Sequence, residues 1–119
     1  MRDTHPGEVV VMIYELRVYR AVSGKLPDLV NRFRDETIRF WERHGIRHVG
    51  FWTTAIGDSN NDLTYLLSWD SLADRDTKWS AFESDPAWLA VREKTERSGE
   101  IVETLRNQIL RPTSFSGLK

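Results

Sequence analysis

The chain has 119 residues, with 17 basic and 18 acidic side chains intermixed and a formal net charge of −1. That balance offers no basic surface to nucleic acid or to an anionic membrane, and no apolar run approaches the roughly 20 residues that span a bilayer. The absence of cysteine excludes disulfides, thiolate metal sites and a cysteine nucleophile, and it fits a reducing, cytoplasmic setting.

Residues 1–8 read as a polar leader with no signal-peptide character, and residues 9–119 as one domain. Val9–Tyr19 is β-branched and aromatic, a strand whose parity separates Tyr14, Leu16 and Val18 from Glu15, Arg17 and Tyr19. Ser23-Gly24 breaks it, and Pro27 suits the first turn of a helix. Leu26, Leu29, Val30, Phe33, Phe40, Trp41 and His44 then form one apolar stripe at helical spacing. Asp28 near the start, Arg39 and Arg43 near the end, and Gly45 as C-cap complete a single long helix. Ile46–Ala55 is a second strand, 57–62 a turn-rich loop, and Leu63–Trp69 a third strand.

Ser71 and Asp74 have the spacing of a capping box, opening a helix that lines up Leu72, Trp79 and Phe82. Asp85-Pro86 restarts the chain as cap and first-turn proline, and Gly99 ends this second helical piece. Glu100–Leu110 is a fourth strand, stopped by Pro112. The order β-α-β-β-α-β predicts a ferredoxin-like α+β fold, a four-stranded antiparallel sheet with helices on one face. The strands carry large apolar groups on both parities, so the uncovered face would be an apolar patch that monomers rarely expose. A second copy of the chain, in a homodimer, is the simplest cover.

Several stretches resemble the NIPSNAP family: 12–19 (MIYELRVY), Gly50 and Trp52, Gly57 and Asn61, Tyr65 with Ser71-Leu72-Ala73-Asp74-Arg75, and the close Leu110-Arg111-Pro112 with Phe115, Ser116 and Leu118. The similarity spans residues 12–118, with Leu67 standing where many members carry tryptophan. It implies the dimeric α+β barrel superfamily, which also holds cofactor-free monooxygenases and isomerases. It implies no particular reaction, since fold analogy cannot supply one.

The chain offers little overt chemistry. His44 and His48 have the spacing of a helical metal pair, but Gly45 and a strand separate them, and no third ligand is apparent. Neither a glycine-rich phosphate loop nor a nucleophile elbow is present, so no metal or cofactor is expected. Glu15 and Arg17 share one strand face among apolar neighbours. They suit either an ion pair, within or between subunits, or a polar anchor for a ligand carboxylate or carbonyl. The parity opposite Tyr14, Leu16 and Val18 is expected to place both on the sheet face away from the helices. Arg75, one turn before Trp79, poses the same choice between stacking and ligand contact. Tyr65, Trp69, Arg75 and Trp79 bracket the junction of the third strand and second helix, the expected wall of any pocket.

The tryptophans are most simply core and interface. Two functions follow. One is a homodimeric domain without assigned activity that binds a small molecule or a protein partner. The other is a cofactor-free monooxygenase or isomerase acting on a small aromatic or lactone-like metabolite, with His48, Glu15 and Tyr65 as acid–base candidates. No diagnostic spacing joins those three, which favours the first.

Overall fold

The computed structural model describes residues 12–119; the expected leader and the strand start at Val9–Val11 lie outside them. Strands β1 (Ile13–Ala21), β2 (Arg47–Thr53), β3 (Asp62–Trp69) and β4 (Val102–Leu110) form one sheet in the order β2-β3-β1-β4. Every neighbouring pair is antiparallel, with Arg17 opposite Tyr65 on one side and Asn107 on the other. With helices packed on one side, this is the expected ferredoxin-like α+β arrangement.

The first helical region contains a feature the apolar stripe does not announce. Helix α1 (Leu26–Arg32) and helix α2 (Ile38–Arg43) are joined by a π-helical turn over Phe33–Thr37. The Ile38 N–H reaches back to the Phe33 carbonyl, and the Thr37 hydroxyl donates to the Arg32 carbonyl at 3.4 Å. The widened turn brings the small, polar Thr37 to the buried side, in the gap that the stripe leaves between Phe33 and Phe40. At the far end Gly45 takes φ +73°, which only glycine adopts freely. The Ile46 N–H then bonds the Trp41 carbonyl at 2.8 Å and the Gly45 N–H the Glu42 carbonyl at 3.3 Å. This is a Schellman close, and it leads Ile46 into the core, where it is buried.

Helix α3 (Leu72–Glu83) starts on Ser71, whose hydroxyl accepts from the Asp74 N–H at 3.0 Å. The Asp74 carboxylate answers one residue earlier than a capping box requires, accepting from the Asp70 N–H at 3.2 Å. Helix α4 (Pro86–Thr95) starts on Asp85, which accepts from the Ala87 N–H at 2.9 Å and faces His44 Nε2 at 2.8 Å. That contact, first of all, holds the Asp85 carboxyl below its ordinary range.

The core lies between helices and sheet and is largely aromatic. Tyr65 on the central strand β3 is ringed by Tyr19, Phe33, Trp41 and Phe51 at centroid distances of 5.2 to 5.4 Å. Trp41 is fully buried and stacks on Phe51 at an interplanar angle of 15°. Trp88 closes the far end against Phe82 and Phe40. Of the five tryptophans only Trp52 is mainly exposed, at 53%.

The register also settles which parity faces the helices, and here the sequence expectation fails. Glu15, Arg17 and Tyr19 share a face with Leu67, Tyr65 and Leu63, the helix side. Tyr14, Leu16 and Val18 lie on the opposite side with Ser68, Leu66 and Thr64. Glu15 is fully buried and Arg17 is 6% exposed. The usual rule sends charge outward; here a second arginine, from α3, neutralises the carboxylate under the helix layer. Strand β4 begins at Val102, two residues later than expected, and is exposed from Glu103 onward. Leu105, Asn107 and Ile109 extend the helix-side face beyond the helices.

Candidate ligand-binding site

The six residues singled out in the sequence form one connected network. The Glu15 carboxylate is its centre. Its Oε1 accepts from Trp69 Nε1 at 3.1 Å and Arg75 Nε at 2.8 Å. Its Oε2 accepts from Arg17 Nη1 at 2.7 Å, Arg75 Nη2 at 3.2 Å and Asn107 Nδ2 at 2.9 Å. Arg75 thus grips both oxygens in the parallel, two-bond geometry that suits a guanidinium to a carboxylate. It can do so because the Ser71 cap sets the first turn of α3 over the end of β1.

Arg17 is engaged through all three of its nitrogens. Its Nε donates to the Tyr65 hydroxyl at 2.8 Å and its Nη2 to the Tyr19 hydroxyl at 3.0 Å. Its head lies over the Trp79 ring at 4.5 Å, a cation–π contact removed from water. Trp69 and Trp79 meet edge to face at 6.4 Å. Glu15 and Arg17 therefore do pair, within one subunit, and both lie beneath the helices.

Burial alone would raise the Glu15 pKa, but hydrogen bonds from Arg75, Asn107 and Arg17 outweigh it and lower the value from 4.5 to about 2. Burial likewise works against the Arg17 charge, yet Tyr65, Tyr19 and Glu15 together hold its pKa above the ordinary arginine value. Burial pushes the Tyr65 phenol well above its usual range. The Glu15 carboxylate raises Arg75. Two guanidinium groups on one carboxylate leave one positive charge in excess, offset at the surface by Asp76, 3.1 Å from Arg75.

Comparison with known proteins follows the same residues. The sequence model of the NIPSNAP family matches residues 14–117. The chain belongs to the NIPSNAP family. Among solved structures, a NIPSNAP family protein of unknown function from Agrobacterium tumefaciens is 29% identical with a TM-score of 0.82, covering 94% of this chain and 97% of its own. A NIPSNAP-like domain protein from Burkholderia xenovorans is 26% identical with a TM-score of 0.80, covering 91% and 90%. A putative antibiotic biosynthesis monooxygenase from Chloroflexus aurantiacus, 13% identical with a TM-score of 0.56 over 91% and 99%, shares the fold. No protein of curated function matches the chain.

In this NIPSNAP domain, Arg75 of the Ser71–Arg75 run is the residue that crosses from helix to sheet. Asn107 and Tyr19 were not foreseen. Asn107 sits on β4 at the parity of Leu105 and Ile109, so it is the strand register that brings its amide to Glu15. His48 stays apart from the network, packed against Trp41 and Phe51, and His44 serves Asp85. Among the described residues no cluster of His, Asp or Glu is arranged to hold a metal, and no helix is long and apolar enough to cross a membrane.

Proposed function

We propose that this NIPSNAP domain is a homodimer that binds a small molecule bearing a carboxylate or carbonyl group beside the Glu15–Arg17–Arg75 network. The observation that carries this reading is the solvent-reaching edge of Arg75, at the border of an uncovered strip of sheet. Arg75 is 21% exposed on one side. On the other, Asn107 stands between Leu105 and Ile109, apolar and exposed on the same face of β4. An arginine edge beside an amide and an apolar shelf is the mix of a few fixed polar groups and apolar surface that small-molecule sites use. The network holds fixed charges: Glu15 far below neutrality, Tyr65 far above, both arginines permanently charged. A general acid or base works best near the operating pH, and the network contains no such group. That favours binding over a cofactor-free monooxygenase or isomerase reaction.

The dimer rests on the opposite face. Leu16, Val18 and Leu66 are half-buried there, Leu110 is exposed, and the Trp52 ring packs close to Gly50. Covering this face with its counterpart would bury more than roughly 2,000 Å² in total, the size of an obligate interface. Sedimentation velocity at micromolar concentration tests it: a single species near 13.9 kDa rules out the homodimer. Thermal-shift screening against small carboxylates, repeated on Arg75→Ala, tests the ligand. Stabilisation lost in the variant is the expected result, and a panel without effect on either protein defeats the binding reading.

A further inference from the structure

A second feature lies where the first helical region meets the end of α4. A cavity of about 360 Å³ opens between the α1–π turn region and the chain that leaves α4, within the roughly 300–1,000 Å³ range of small-molecule sites. Arg32 lines it, only 7% exposed. Its polar contacts run through Nη1 alone, to Thr95 Oγ1 and Glu96 Oε2, each at a long 3.4 Å. Its Nε is cut off from solvent and has no hydrogen-bond partner. A buried guanidinium with five donors so sparsely matched is unusual, because a buried donor left unmet loses its hydration with no bond to replace it. The ring of Trp88, 5.9 Å away, holds the head in place.

The rest of the lining has the opposite sign. Asp28 lies one turn before Arg32, and Asp35 and Glu36 one turn after it. Their ion pairs with Lys25, Arg34 and Arg39 are at least partly solvent-exposed contacts, and each carboxylate keeps acceptor sites free. The π turn begins at Phe33, directly after the arginine, and such turns often mark functional sites.

We propose that this cavity binds a small zwitterion, its anionic end taken by Arg32 Nη2, the guanidinium nitrogen that has no protein partner and is not sealed from solvent, and its ammonium facing Asp28, Asp35 and Glu36. A simple anion would meet three carboxylates, and a simple amine would meet the arginine; a molecule carrying both charges satisfies both ends. No residue lining the cavity takes part in the Glu15 network. The test is a ¹H–¹⁵N NMR titration of the whole chain with glycine, β-alanine, 4-aminobutanoate and 6-aminohexanoate, with acetate and methylammonium as controls. At least one amino acid should saturate shifts at Asn31, Thr95 and Ser98 at a concentration tenfold or more below either control. Arg32→Gln should abolish that binding. Asp28→Asn, at an exposed position that tolerates change, should weaken it several-fold without weakening acetate, so the test holds even if the Arg32 variant does not fold. Absence of saturation, equal binding of acetate, or shifts confined to other surfaces would overturn the proposal.

Discussion

Replacing Glu15 by Gln keeps the shape of the side chain and removes its charge, leaving two guanidinium groups and an indole N–H around a neutral amide. The gap between about 2 in the fold and the ordinary 4.5 corresponds to about 3 kcal/mol at 1.36 kcal/mol per pH unit. Water reaches Arg75, and that screening trims the expected contribution to about 2 kcal/mol. Because folding lowers the carboxyl pKa, the contribution is complete above the unfolded value of 4.5 and disappears as pH falls toward about 2. Urea unfolding of wild type and Glu15→Gln at pH 7 should therefore differ by about 2 kcal/mol or somewhat more, since breaking a buried pair also strands its partner. By pH 3 the gap should shrink by more than half. A difference of the same size at both pH values would mean that Glu15 acts through shape and not charge, and the electrostatic account of the network would be wrong.

Three further outcomes can be measured in the same way. Gly45→Ala places a side chain at φ +73° with ordinary clearance from Lys78, so strain alone should lower stability by about 1–2 kcal/mol; an unchanged melting temperature would contradict the Schellman close. Trp41 and Trp69 are both fully buried, but Trp69 donates to Glu15 whereas Trp41 Nε1 has no partner. Trp69→Phe should thus cost about 1.5–3 kcal/mol more than Trp41→Phe, the worth of a bond to a charged group; equal losses in urea would count against it. A methyl at Gly50 would come within 2.7 Å of the Trp52 ring, yet that ring is half exposed and free to swing, so Gly50→Ala should cost under about 1 kcal/mol. A larger loss in urea unfolding at matched protein concentration would show the ring to be fixed.

Element order was legible in the sequence because its signals are local. Ser71, Asp85-Pro86 and Gly45 each act on the next few residues, and each performs in the structure the capping role its chemistry suggests. Face assignment was not legible. Parity separates Glu15 and Arg17 from Leu16 and Val18, but which set lies inside depends on Arg75, sixty positions away. An isolated pair of charges reads as surface; a carboxylate with five donors reads as core, and only the fold assembles the five. The π turn left a trace in the stripe's gap after Phe33, but a gap in a hydrophobic pattern does not identify a widened turn. Arg32 gave no signal at all, since nothing in the α1 sequence distinguishes it from a solvated arginine.

The inverted faces bear on how the two proposed roles fit on one small sheet. Had Glu15 and Arg17 lain on the open face, any partner laid against it would have had to strip water from both, at a cost of several kcal/mol per ion. Placed under α3, the charges are instead desolvated once, during folding, and matched by Arg75, Trp69 and Asn107 within the same chain. The middle of the open face is then left to Leu16, Val18 and Leu66, side chains that lose nothing by being covered. Assembly and ligand recognition can therefore use opposite sides of β1. A charge placed at Val18 should disturb association without moving the Glu15 carboxylate, and a change at Arg75 should do the reverse.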